Sequence, residues 1–128
     1  MASWLGWKLD DFGGTTAGSV RGLFADAESG EPAWLIAELA RRLPLLRRRG
    51  RRLVAVPLRD CAGGGGRVWT AHGRDALRRA PTVDPTRPLL REHELAICAH
   101  YGIGEPVGRA AEVVGRPLDT VTACPAAA

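Results

Sequence analysis

Lysine is nearly missing from this 128-residue sequence: Lys8 stands alone against seventeen arginines. With abundant Ala and Gly, that bias is what a GC-rich coding sequence produces. It makes arginine the default cation, so a cluster of arginines says less about bidentate phosphate recognition than it would elsewhere. Cysteine is sparse too. Cys61, Cys98 and Cys124 are odd in number and widely spaced, with no CxxC pair. This excludes a disulfide framework and fits reduced thiols in a cytoplasmic protein. No stretch approaches the ~18–20 apolar residues that a membrane helix requires. The opening MASWLGWKLDDFGG has acid by position 10 and no long apolar run, and does not read as a signal peptide. No internal repeat is visible.

What is present suits one domain with a modest core. The formal net charge is +4, from 18 basic and 14 acidic residues, and the excess is local. Residues 41–52, RRLPLLRRRGRR, hold seven arginines and no acid. Without them 11 basic residues face 14 acidic ones, a balance of −3. Only this segment argues for a polyanionic partner.

The first part of the chain has strand spacing. SWLGWKL, 3–9, is short and aromatic-rich, and DDFGGTTAGS is a turn cluster. In VRGLFAD, 20–26, alternation places Val20 and Phe24 on one face and Arg21, Leu23 and Ala25 on the other. AESGEP is a tight turn. AWLIAELA, 33–40, reads as a strand with Trp34, Ile36 and Glu38 on one face. LVAVPLRD, 53–60, is the clearest strand, and Pro57, which cannot donate to a ladder, should end it or mark an edge. CAGGGG breaks the chain, and RVWTA, 67–71, is another short strand.

After residue 72 the period changes. GRDALRRA, 73–80, suits one or two helical turns, and PTVDPTRP is an extended connector. PLLREHELAICAHYG, 88–102, is the best helix, with Leu90, Glu94, Ile97 and Tyr101 on one stripe and Leu89, His93, Ala96 and His100 on the next. Pro88 and Gly102 suit its two ends. Residues 104–128 are rich in Ala, Gly and Pro without a period, and are expected to form a flexible tail. Short strands separated by turns point to a mainly β fold, with a small barrel as the arrangement that removes exposed edges.

Four segments resemble the PRC-barrel family: WLGWKLDDFGGTTAGSVRGLFAD, ESGEPAWLIAEL, LVAVPL and APTVDPTRPLLREHELAICAHYGI. The last is similar to the segment that follows the barrel in many stand-alone bacterial members. The sequence departs from that pattern at Val83, Leu90 and His93, where the family often has Tyr, Thr and Tyr. The resemblance covers roughly residues 3–103. It implies a small antiparallel PRC-like β-barrel over residues 1–72, with a C-terminal helical appendage over 73–103 that packs on the barrel or on a dimer mate. It also implies a non-catalytic, cofactor-free module that acts by binding other proteins.

The candidate binding residues follow from that frame. The arginine run falls between two strands, and no aromatic residue is interleaved for stacking on bases. Its Leu-Pro-Leu-Leu tip suits protein docking better than a nucleic-acid grip. A partner-binding set of Arg41, Arg42, Leu45, Leu46, Arg47, Arg48, Arg49, Arg51 and Arg52 is therefore expected, with RNA or ribosome association as the alternative. A solvated loop is the plainer reading. The helix stripe of Leu90, His93, Ile97 and Tyr101 is the candidate oligomer interface, because an isolated helix of this length needs a surface to bury against. His93, Cys98 and His100 lack the i, i+3 or i, i+4 spacing of a helical metal pair. His72 has no evident carboxylate partner, and GGGG at 63–66 lacks the Lys-Ser/Thr and helix of a phosphate loop. Trp4, Trp7, Trp34 and Trp69 are assigned to strands, mostly facing the core, with one or two left for a partner face.

Overall fold

The computed structural model describes residues 4–40, 51–104 and 112–118. They form a mainly β fold of eight strands: β1 (Lys8–Asp10), β2 (Thr16–Asp26), β3 (Pro32–Ala40), β4 (Arg51–Pro57), β5 (Cys61–Gly64), β6 (Arg67–Thr70), β7 (Leu89–Leu90) and β8 (Val113–Leu118). Two helices, α1 (Arg74–Arg79) and α2 (Arg91–Tyr101), complete it, with a 3-10 turn at Leu58–Asp60. The main ladder runs β4-β3-β2-β1-β6-β5, and it is antiparallel except where β1 meets β6. Among the described residues β4 and β5 do not pair, so the sheet stays open.

β2 is the centre of the arrangement. One edge carries β3 along most of its length. The other edge is divided, with β1 on its first half and β8 on its last residues. Register shifts between Val20 and Gly22 and between Phe24 and Ala25 bend the strand. A bulge interrupts the period of two. Hence Val20 and Leu23 share one core cluster while Phe24 joins the other, in place of the Val20/Phe24 face expected from alternation.

β3 and β4 are buried on both faces. Leu35, Ala37, Val54 and Val56 pack with Leu9 of β1, Val68 of β6 and Leu77 of α1. Trp34, Ile36 and Ala55 turn the other way, onto Ile97 and Cys98 of α2, Leu89 and Val114. Strands covered on both sides have nearly unbroken apolar sequences, as WLIA and LVAV do. Pro57 ends β4, and β4 is an end of the ladder, so both roles foreseen for this proline occur together.

Four expectations change. Trp4 and Trp7 precede β1 rather than lying in a strand. Cys61–Gly64 is a strand rather than a break, and the reversal is made by Gly65 and Gly66, whose φ values of 61° and 85° form the tight turn into β6. Leu89 and Leu90 are strand rather than helix, because they pair with Gly115 and Val113 of β8. β8 in turn lies in the segment read as a tail. Gly115–Leu118 pair with the free half of β2, Val113 pairs with Leu90 of β7, and Val114 enters the core.

Candidate functional site

The arginine run spans the β3–β4 connection, since Ala40 pairs with Arg51 and Leu39 with Arg52. Arg41, Arg42, Leu45, Leu46, Arg47, Arg48 and Arg49 lie outside the described residues. Arg51 opens β4. Arg52 is engaged within the fold: its Nη2 donates to the Ala80 carbonyl at 2.6 Å, fastening β4 to the connector after α1. The same connector covers the β4 edge further along, where Val83 N–H donates to the Leu53 carbonyl and Thr82 bridges Val54.

The helical stripe divides. Ile97 is 1 % exposed in the chain's own core, and the Tyr101 hydroxyl donates to the Ala55 carbonyl at 2.7 Å. α2 thus buries Ile97 on its own sheet, and Tyr101, half-buried, is anchored to the same sheet by its hydroxyl. Leu90 and His93 instead line a cleft of about 560 Å³ with Phe24, Val83 and Arg87.

A larger cleft, about 730 Å³, opens where β1, β5 and β6 meet. Its walls come from three segments: Asp10–Phe12 at the end of β1, Arg59–Ala62 entering β5, and Trp69–Ala71 leaving β6. Phe12 is 76 % exposed and Trp69 48 % exposed. In β6 the burial alternates, so Val68 and Thr70 face inward and Trp69 outward. Trp69 is the tryptophan left on the surface, whereas Trp4 and Trp34 are buried.

The acids of this cleft are tied to the frame. Arg67 Nη1 donates to both oxygens of Asp10, at 3.0 and 3.1 Å. Asp11 accepts the Thr15 N–H and lies 3.9 Å from Arg74. Asp60 Oδ2 is 2.8 Å from His72 Nε2. The sequence hid this last pair, because the two residues are separated by the whole β5–β6 hairpin. The ladder brings them together, with Ala71 N–H donating to the Asp60 carbonyl.

Behind the cleft the His72 ring packs on Tyr101, centroids 4.5 Å apart, and His100 meets the same ring edge-on at 4.9 Å. His100 Nε2 is 2.6 Å from the Ala76 carbonyl, so α1, α2 and the β6–α1 connection converge on this tyrosine. Burial pushes the Tyr101 hydroxyl well above its ordinary range, and the nearby Cys61 adds to that. Burial likewise pushes the Cys61 thiol up to about 12; a hydrogen bond with Thr70 opposes this and the Asp60 charge adds to it. A thiol held protonated is a poor nucleophile. The Asp60–His72 pair has the form of an oriented base, and the adjoining thiol is not set up to be activated by it. Among the described residues no group of three His, Cys, Asp or Glu side chains is placed to hold a metal ion.

Comparison of the chain with protein-family models and with curated proteins found no match.

Proposed function

We propose that the chain is a non-catalytic protein-interaction module of the PRC-barrel kind, acting in the bacterial cytoplasm, with its strongly bent sheet as the barrel element and α1–α2 as the helical appendage. The observation that carries the reading is the pair of exposed aromatic side chains, Phe12 and Trp69, on the walls of one cleft. Exposed tryptophan is enriched among the anchors of protein interfaces, where a large rigid side chain gains contact area at small entropic cost. The experiment is capture from nuclease-treated native lysate with wild-type protein and with a Phe12→Ser, Trp69→Thr variant. A protein retained by the wild type and lost by the variant is expected. Retention by both sinks this assignment of the surface.

The arginine run supports a second reading, RNA or ribosome association, because seven cations within residues 41–52 form a local electrostatic footprint. In the same experiment it predicts a catch that disappears with nuclease and with the run's arginines changed to Ser. Self-association is a further arrangement compatible with the module. Leu90 and His93 are the stripe members outside the core, and a homodimer through their cleft predicts a dimer mass by light scattering that His93→Asp abolishes.

A further inference from the structure

The two ends of the main ladder differ. β4 is covered by the 80–83 connector, whereas among the described residues β5 pairs only with β6. The two-residue turn at Gly65–Gly66 makes Gly64 and Arg67 a hydrogen-bonded pair. Bonding then alternates, so Ala62 also bonds inward to Trp69, and Gly63 turns its N–H and C=O outward. Cys61 does the same, but its N–H is already given to the Leu58 carbonyl, which leaves its C=O. A row of outward main-chain groups is a template for another strand. Natural edges are usually blunted by charge, proline or cover, and β5 has none of these in Cys61, Ala62, Gly63 and Gly64.

We propose that β5 accepts an extended peptide segment of another protein by strand addition, with Gly63 as the main-chain contact and Trp69 as the side-chain platform. This rests on the protein-interaction reading above and specifies its partner. Two features select the occupant. A four-residue edge is roughly 13 Å long, so pairing along it covers only a small part of the ~800 Å² per partner that a stable dimer of folded chains buries, and a short linear segment suits it better than a second copy. On the outer face β5 offers only Ala62 and Gly64, so a large apolar side chain of the added strand lies over the Ala62 methyl onto Trp69. The cleft lining carries the carboxylates of Asp10, Asp11 and Asp60 against the guanidinium of Arg59. Arg67 and Arg74 bring the count to three carboxylates against three guanidiniums, so the lining imposes no charge preference on the segment.

The test uses the full chain and a phage-displayed library of random linear peptides. Enriched peptides are synthesised, then titrated into isotope-labelled protein while the Gly63 amide and the Trp69 indole are followed. Enrichment of a large apolar residue, with both signals shifting, is expected. Methylation of alternate peptide nitrogens is expected to weaken binding about tenfold, the loss of roughly one net hydrogen bond. Ala62→Lys, which places a charge beside the open edge without touching the core, is expected to abolish binding while leaving the thermal midpoint unchanged. Peptides that shift Trp69 but not Gly63, and that tolerate methylation, overturn strand addition while leaving the interaction reading intact. No enrichment, or shifts remote from both residues, overturns both.

Discussion

Tyr101 holds together three parts of the molecule through one hydroxyl and one ring. Its hydroxyl and the Cys61 thiol both have folded-state values raised above their ordinary 10.0 and 9.0. A raised value means that the folded chain prefers the protonated form. The associated stability is complete below the ordinary values and is lost as pH rises through the folded ones. Chemical unfolding followed from neutral pH to about 10.5 should therefore show stability falling once pH passes 9.0. Tyr101→Phe should cost about 1 kcal/mol at neutral pH, because the Ala55 carbonyl loses its donor, and should also flatten part of the alkaline decline. An unchanged alkaline slope in both Tyr101→Phe and Cys61→Ala would contradict this account. Gly63 carries a steric prediction. A Cβ there would come within 2.6 Å of the Trp4 indole, itself in the core, so Gly63→Ala should lower stability by roughly 1–3 kcal/mol in thermal unfolding.

At the scale of elements, the strands that were legible are those whose own residues demand burial. β3 and β4 are apolar on both faces and were readable from WLIA and LVAV, including the shared face of Trp34 and Ile36. β5 and β8 were not readable, because neither is a strand by composition. Glycine-rich β5 is held extended by β6, and β8 by the open half of β2 and by β7. The same cause hid the candidate site. The sequence left one or two of four tryptophans for a partner face without singling out Trp69; the Asp60–His72 pair depends on the β5–β6 ladder, and the Phe12–Trp69 cleft on the parallel pairing of β1 with β6, which no local pattern announces. Val114 tests the assignment of β8. Val114→Ala should cost roughly 1–3 kcal/mol by removing methyl groups from the core. A change within experimental error on urea unfolding would return this segment to the tail it resembles in sequence.

At the scale of the whole molecule, the charge of the chain and the packing of the chain are separate matters. Changing all seven arginines of residues 41–52 moves the formal net charge from +4 to −3, enough to transfer the protein from a cation to an anion exchanger at neutral pH. Arg52 is the member of the run with a demonstrated internal duty. Arg52→Ser alone should lower stability by about 0.5–1.5 kcal/mol through loss of the bond to the Ala80 carbonyl. Comparing the two variants by exchange chromatography and thermal unfolding separates the electrostatic contribution of the run from its structural one.

The divided edge of β2 also sets an order of events during synthesis. β2, β3 and β4 follow one another closely and can zip as each leaves the ribosome. The second half of the β2 edge must wait for β8, more than eighty residues later in the sequence, before its last ladder forms. Until then the nascent chain presents Phe24 and its neighbours without their final cover. The meander is thus local in sequence, and the closing strand comes from far away, a long-range pairing of the kind that slows folding.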